Sequence, residues 1–212
     1  MTLLIRISKF IMNVIYFFFK CQKTRNQITM ISRQSNYVTD DFRLLENELK
    51  NDYKIVILCK ELDNKFLYLF HMLKQMYHIS RSKIVILDSY SIAISNLKHK
   101  KSLKIIQIWH ALGLIKKAGY AIIDKEEGRS KKMSALFSMH KNYNYVFTTS
   151  ENCIDAMSQV FGCDKNIVYS VPLPRIDLLK NKKVIKQIQS NIYKEYPILK
   201  QKQNVIYIPT YR

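Results

Sequence analysis

Short apolar runs alternate along this chain with longer segments in which apolar residues recur every three or four positions. Runs rich in β-branched side chains predict buried strands. They are Ile28 to Ile31, Lys54 to Cys59, Ile84 to Leu87, Ile105 to Trp109, Tyr145 to Thr148 and Ile167 to Ser170. Strands separated by helical segments of this length predict right-handed crossovers and a parallel sheet. The fold class is therefore α/β, a mainly parallel sheet with helices on both faces.

The periodic segments between the strands predict where the helices begin and which side they bury. Asp40 is expected to cap a helix that runs to about Asn51. Ser150 is expected to cap a helix that ends at Phe161, with Gly162 in the left-handed position after it. A helix from Asn64 to Ile79 is expected to turn these residues inward: Phe66, Leu69, Phe70, Leu73 and Met76. A last strand is predicted at Val205 to Ile208.

The first twenty residues form a distinct apolar segment with an aromatic end. Arg6, Lys9 and Asn13 interrupt it at helical spacing, so they fall on one face of a helix. A spanning helix needs about 20 mostly apolar residues, and a secretory signal needs a small-residue cleavage site. An amphipathic helix at a membrane surface fits better, with Phe17 to Phe19 inserted and the basic residues near headgroups. The alternative is a helix that packs on its own domain.

Charge narrows the class of partner. Lys and Arg number 35 against 16 Asp and Glu, a net charge of +19. Such an excess indicates an anionic partner: nucleic acid, an anionic membrane surface or a phosphorylated substrate. Nucleic acid is disfavoured, because the basic residues are dispersed and no helix-turn-helix, RNA-recognition or zinc-finger pattern appears. The cysteines are scattered and predict reduced cytosolic thiols.

The strand at Ile105 runs directly into His110, which is the strongest candidate for chemistry. Ligands in open α/β sheets bind outside the carboxyl ends of the strands. Gly113 and the pair Lys116 and Lys117 follow, and they favour a phosphate. The alternatives are a structural histidine that only satisfies local hydrogen bonds, and lysines that form a solvated face.

Several ordered motifs resemble the CDP-glycerol glycerophosphotransferases, the bacterial enzymes that prime and extend teichoic acids. The central block runs from Trp109 to Gly113 and from Lys116 to Tyr120. The other motifs are His140 to Tyr143 with Ser150-Glu151, Phe161-Gly162, Pro174 to Asp177, and Val205 to Arg212. Ala111 and Pro172 stand where many family members have glycine.

The resemblance implies the N-terminal half of a GT-B glycosyltransferase, which pairs two Rossmann-like domains across a cleft. Residues 1–25 would be the membrane-associating helix and 26–180 the Rossmann-like, acceptor-side domain. Residues 181–212 would be a linker helix and the first strand of a truncated second domain. The second domain would hold most donor contacts, so this chain alone is expected to be inactive.

The implied reaction is attack of an acceptor hydroxyl on the β-phosphorus of CDP-glycerol, which releases CMP. By resemblance His110 is the catalytic base, a role that suits imidazole near neutral pH. The residues expected to bind substrate or phosphate are Lys116, Lys117, Arg175, Asp177, Gly113, Ser150 and Arg212. No cofactor or metal is expected, since no metal-ligand cluster or glycine-rich phosphate loop appears.

The expected partners are CDP-glycerol, a polyprenyl-linked or polyol-phosphate acceptor and an anionic membrane surface, without nucleic acid. The expected location is peripheral, at the cytoplasmic face of the cell membrane. A second hypothesis is a non-catalytic module that binds membrane or an anionic polymer. It explains the charge without turnover.

Overall fold

Six parallel strands form the centre of the protein. The computed structural model describes residues 2–113 and 117–208. The strands are β1 (Gln27–Ser32), β2 (Lys54–Cys59), β3 (Ile84–Leu87), β4 (Lys104–Gln107), β5 (Tyr145–Thr148) and β6 (Val168–Ser170). Their order in the sheet is β2-β1-β3-β4-β5-β6, and every pairing is parallel. The predicted α/β fold class is confirmed.

Helices connect the strands. They are α1 (Thr2–Lys20), α2 (Asp40–Leu49), α3 (Lys65–Arg81), α4 (Ile92–Asn96), α5 (Lys131–Leu136), α6 (Ile154–Phe161), α7 (Arg175–Lys180) and α8 (Lys182–Glu195). The chain divides into two compact units, Met1–Leu173 with the sheet and Pro174–Arg212 with α7 and α8.

Both faces of the sheet are covered, which is why every residue of β1 is buried. On one face Ile28 and Met30 pack with Phe42 of α2. On the other face Ile31 joins a larger cluster with Met76 of α3 and Phe161 of α6. Strands covered on both faces are rich in apolar residues, and β1, β2 and β3 follow this rule although β1 also buries the polar side chains of Gln27 and Thr29.

The buried face of α3 differs from the predicted one. Phe66, Leu69 and Phe70 are exposed, at 79%, 48% and 69%. The buried residues lie on a neighbouring stripe of the helix, Tyr68, Met72, Met76 and Ile79. Helix α3 has apolar residues on several of its sides, so their periodicity alone did not identify the stripe that packs on the sheet. The predicted burial of Met76 is confirmed.

Helix α1 turns its polar stripe toward the protein. Lys9 Nζ donates to the carbonyl oxygen of Leu136 and to Ser138 Oγ, both at 2.9 Å. Asn13 Nδ2 donates to the carbonyl oxygen of Asn96 at 3.0 Å, and Tyr16 is buried. The prediction that Lys9 lies near headgroups is therefore wrong, because burial against α5 engages its ammonium group and lowers its pKa.

The apolar side of α1 is exposed instead. The exposed residues include Leu3, Leu4, Ile7, Phe10, Ile11, Phe17 and Phe18. Phe19 departs from the prediction, because its ring packs edge-on against Tyr77 of α3. By length and composition Thr2–Lys20 is a helix that could cross a membrane.

Smaller differences concern the ends of elements. Thr39 occupies the N-cap position of α2, and Asp40 is the first helical residue. Strand β4 ends at Gln107, two residues before the predicted end. Gly162 has φ of +57° after α6, which confirms the left-handed position. The predicted strand at Val205 to Ile208 is wrong, because this segment has no regular secondary structure and is 78–90% exposed.

Candidate active site

The order of the strands reverses between β1 and β3, and the candidate site lies beside that point. Chain connections leave β1 toward β2 on one side, whereas β3, β4, β5 and β6 lie on the other. Such a switch point opens a crevice outside the carboxyl ends of the two strands. Arg33 follows β1 there, and Asp88 and Ser89 follow β3.

Gln107 fixes the backbone at the end of β4. Its side chain is fully buried, and its Oε1 accepts from the backbone N–H of Trp109 at 2.9 Å. Its Nε2 donates to the carbonyl oxygen of Ser89 at 3.2 Å and to Tyr143 Oη at 3.3 Å. One amide side chain therefore joins the end of β4 to the segment after β3.

Trp109 adopts a strained backbone conformation, with φ of +64°. A bulky residue at positive φ is rare and persists only where its surroundings hold it. The Gln107 bond and the packing of the indole provide that support. The indole meets Phe161 edge-on at 5.4 Å between ring centroids and lies 4.1 Å from the His110 ring. This turn directs His110 away from the line of β4.

Backbone and side-chain groups orient the imidazole of His110. Its Nδ1 lies 3.0 Å from the carbonyl oxygen of Asp88 and 3.3 Å from the side-chain amide of Gln34. A carbonyl oxygen only accepts, so Nδ1 carries the proton and Nε2 keeps the basic lone pair. The Gln34 atom at 3.3 Å is Nε2, a donor, so Gln34 accepts from a protonated Nδ1 only with its amide group turned over. The imidazole is half-buried, and its Nε2 has no hydrogen-bond partner among the described residues, so it can accept a proton from a bound hydroxyl.

The carboxyl group of Asp88 lies beneath this histidine and is 2% exposed. Burial raises its pKa, and hydrogen bonds from the hydroxyls of Ser32 and Ser89 oppose that rise. Among the described residues its Oδ1 has no hydrogen-bond partner. The nearby imidazole of His110 also lowers the pKa of this carboxyl group.

A second histidine, His140, lies deeper and has a different environment. Its ring meets Phe161 edge-on at 4.8 Å, and its Nδ1 lies 3.1 Å from Tyr143 Oη. Burial lowers its pKa to about 4, and the charge of Arg129 acts in the same direction. This buried neutral imidazole packs on Phe161, the same ring that contacts Trp109.

The loop after His110 is held against α6 by close backbone contacts. Gly119 has φ of +54°, and a Cβ at this position would collide with the carbonyl oxygen of Val160. Lys117, two residues earlier, is exposed. Gly113 lines a small crevice with Trp109 and Thr149. Of the predicted phosphate-binding residues in this loop, Lys116 lies outside the described residues.

The remaining predicted residues are distributed over both compact units. Ser150 Oγ accepts from Asn152 N at 3.3 Å, so it caps the short 3-10 turn that precedes α6. Arg175 and Asp177 lie in the first turn of α7, in the second unit. Arg212 lies outside the described residues. Within residues 2–113 and 117–208, no group of three or more His, Cys, Asp or Glu side chains is placed to hold a metal ion.

Comparison with known proteins identifies the family. The family model described as CDP-Glycerol:Poly(glycerophosphate) glycerophosphotransferase matches residues 13–212. The chain belongs to this glycerophosphotransferase family. The match covers the strained turn at Trp109 and the histidine that follows it.

Curated relatives of this glycerophosphotransferase-family chain act in teichoic acid synthesis by name. A Teichoic acid ribitol-phosphate primase of Bacillus spizizenii is 27% identical over 88% of this chain and 50% of its own length. A Teichoic acid poly(ribitol-phosphate) polymerase of the same organism is 31% identical over 88% of this chain and 30% of its own length. The chain therefore spans half or less of the curated relatives it matches.

A solved structure shows the same fold. A variant of the Wall Teichoic Acid Polymerase TagF soaked with CDPG aligns with a TM-score of 0.70 and 13% identity. The alignment covers 100% of this chain and 56% of that chain. The resemblance noted in the sequence is thus confirmed at the level of family and fold.

The sequence did not predict several groups that build this site. Gln34 and Gln107 have partners that only the order of the strands brings near. A signal was present for Gln107, since it is a polar residue inside an apolar strand. Arg33 offered a similar signal, because it follows β1 directly.

Proposed function

We propose that this chain forms the acceptor side of a transferase that moves glycerol phosphate from CDP-glycerol to an acceptor hydroxyl. The acceptor oxygen forms a bond to the β-phosphorus, and the bond from that phosphorus to the oxygen of the CMP phosphate breaks. The acceptor proton passes to His110 Nε2, and CMP leaves with the electron pair. The observation that carries this proposal is the orientation of His110 by the Asp88 carbonyl at 3.0 Å.

The lysines and arginine of the family motifs complete the proposed site. Lys116, Lys117 and Arg175 would neutralise phosphate charge, as positioned cations do in phosphoryl transfer. Gly113 would let backbone approach the substrate, and Ser150 and Asp177 would bind polar substrate groups. Arg212 is included for its match to the family motif alone.

The domain arrangement and location are part of the same proposal. Residues 1–25 would associate with the membrane, 26–180 would bind the acceptor, and 181–212 would lead into a second, donor-binding domain. The exposed apolar side of α1 supports a peripheral position at the cytoplasmic face of the cell membrane. A polyprenyl-linked or polyol-phosphate acceptor would be reached from that surface.

CMP release tests the activity. The chain is assayed alone and in a chimera in which it replaces the matching segment of TagF, with CDP-glycerol or CDP-ribitol as donor. We expect CMP release by the chimera and its loss in His110→Ala. A folded chimera that releases no CMP with either donor would reject the proposal.

The exposed side of α1 also supports a second candidate, a non-catalytic module that binds membrane or an anionic polymer. This module would bind vesicles without releasing CMP in any context. The same assay therefore separates the two functions.

A further inference from the structure

A cavity of about 360 Å³ lies beside the His110 site, and the proposed base does not occupy it. Residues that follow β1, residues that follow β3, and the segment around α5 enclose it. Its polar lining consists of Arg33, Tyr90, Arg129 and Ser130, and its apolar lining consists of Leu62, Ile92, Met133 and Phe137. The described lining contains no acidic side chain.

Two guanidinium groups converge on one aromatic ring in this cavity. The central carbon of Arg33 lies 5.9 Å from the centroid of the Tyr90 ring, and that of Arg129 lies 5.7 Å from it. The Tyr90 hydroxyl donates to the carbonyl oxygen of Phe137 at 3.0 Å, which fixes the ring. Arg33 also lies 5.6 Å from the Tyr68 ring. These contacts are within the range of cation–π attraction.

Arg33 has a buried donor that the described residues do not satisfy. Its Nη1 donates to the carbonyl oxygen of Tyr90 at 3.2 Å, but its Nε is buried without a partner among the described residues. In that part of the chain, no carboxylate forms an ion pair with Arg33 or Arg129. Two like charges near one ring repel each other, and an anion between them would remove that cost.

The cavity adjoins the proposed base through consecutive residues. Arg33 precedes Gln34, whose side-chain amide contacts His110 Nδ1. Asp88, whose carbonyl holds the same nitrogen, is two residues before Tyr90. Arg33 and Tyr90 are therefore close in sequence to the two groups that hold His110, so the cavity adjoins the segment that carries the proposed base.

We propose that Arg33 and Arg129 bind a phosphate ester of the acceptor, the one next to the hydroxyl that reacts. This inference rests on the proposed function, because that function makes His110 the base for the acceptor. Guanidinium groups bind phosphate through paired charge-assisted hydrogen bonds. The apolar residues of the lining lower the local dielectric constant on their side of the site, which strengthens the attraction between the arginines and the phosphate. The site selects acceptors that already carry a phosphate.

Direct binding to the 212-residue chain tests the site without turnover. The probes are glycerol 3-phosphate, which resembles the acceptor, CDP, which resembles the donor, and glycerol, which has no charge. Heteronuclear NMR follows the Nε–H resonance of Arg33, a group without a hydrogen-bond partner in the described part of the chain. The variants are Arg33→Gln and Arg129→Gln. Arg25→Gln is the matched control, because Arg25 is exposed and precedes the opposite end of β1.

We expect glycerol 3-phosphate to shift the Arg33 Nε–H resonance, with no shift from glycerol. Each cavity variant should bind the phosphate about tenfold or more weakly, the size of a lost hydrogen bond to a charged group. Arg25→Gln should bind as the unmodified chain does. Equal binding by both cavity variants would overturn the proposal. Tighter, arginine-dependent binding of CDP would overturn the acceptor assignment in favour of the donor.

A variant that fails to fold would not invalidate this test. Failure of the phosphate site can also be distinguished from failure of the proposed transferase function. Arg129 is exposed, so Arg129→Gln retains the core even if Arg33→Gln is unstable. Phosphate binding that depends on the arginines, in a chimera that releases no CMP, would reject the transferase and keep the site. CMP release with unchanged acceptor KM in Arg129→Gln would reject the site and keep the transferase.

Discussion

Asp88 holds His110 through its main-chain carbonyl oxygen, which lies 3.0 Å from Nδ1 of the imidazole. The two residues follow β3 and β4, which are adjacent parallel strands in register from Ile84 with Lys104 to Leu87 with Gln107. The pairing of β3 with β4 thus sets the position of the Asp88 carbonyl oxygen, which accepts the hydrogen bond from His110. A side-chain substitution at Asp88 leaves this carbonyl in place, so the orientation of His110 depends on the sheet itself.

The first prediction concerns His110 in the chimera with TagF. His110→Ala should lower CMP release about 100-fold or more, the usual contribution of a general base. Gln34→Ala is the control, and it should have a smaller effect because the Asp88 carbonyl still orients the ring. Thermal unfolding should be nearly unchanged in both variants. Retained turnover in His110→Ala would show that the histidine is structural.

The second prediction concerns Gln107, which supports the strained backbone of Trp109. Gln107→Leu leaves the Trp109 N–H unpaired in the interior and should destabilise the chain by about 1–3 kcal/mol. The denaturation midpoint measures this loss. Gln159→Leu makes the same change at an exposed position of α6 and should have little effect. Equal stability of the two variants would show that the amide does not hold the turn.

The strands could be predicted from the sequence because a doubly covered sheet requires uninterrupted apolar runs. The end of β4 could not, since Ile108 and Trp109 continue the run after the strand has ended. The difference arises from Gln107, whose bond to the Trp109 N–H turns the chain away. The Gln107 amide is held for this bond by Ser89 and Tyr143, which are distant in sequence, so its effect on the backbone could not be deduced from the local pattern.

The same limit applies to α3 and to the cavity beside His110. Apolar residues on several sides of α3 gave two competing faces, and the position of the sheet selected Met72 over Phe70. Arg129 is almost a hundred residues from Arg33, and only the folded chain brings both to Tyr90. Sequence reasoning proposed His110 as a candidate because its position after a strand is a local feature of the sequence.

The third prediction concerns membrane binding by α1. Phe10→Ser and Phe17→Ser should each weaken flotation with phosphatidylglycerol vesicles about tenfold, from the apolar area that each ring buries. Tyr37→Ser removes an 82% exposed aromatic ring elsewhere and should float normally. Deletion of the whole helix is a poorer test, because it also uncovers the cluster that Tyr16 joins. Unchanged flotation of both phenylalanine variants would contradict the interfacial position.

The fourth prediction concerns acid stability. Burial lowers the pKa of His99 and of His140 to about 4, below the ordinary histidine value of 6.5. The unfolded chain therefore binds more protons between these values, so the free energy of unfolding should fall as the pH drops from about 6.5 to 4. Denaturant unfolding across this range measures the slope. His140→Asn should reduce the slope, and an unchanged slope would show that His140 is not buried in its neutral form.

The fifth prediction concerns the end of the chain. Residues 201–208 have no regular helix or strand, and Val205 and Tyr207 are 90% and 86% exposed. Truncation after Lys194 should change the melting temperature by only a few degrees, roughly the effect of 1 kcal/mol or less. It should also improve solubility, because it removes an exposed apolar segment. A large loss of stability would mean that this segment is integrated into the fold.

The hydrogen bonds of Lys9 and Asn13 fix α1 to the protein in the absence of a bilayer. Peptides that fold at an interface lose conformational entropy on binding, whereas this helix has already lost it. The heat capacity change on vesicle binding should then reflect the apolar area alone. The carboxyl ends of the strands, where His110 lies, would also keep a fixed height and tilt above the lipid. The search of His110 for an acceptor would then be confined to two dimensions.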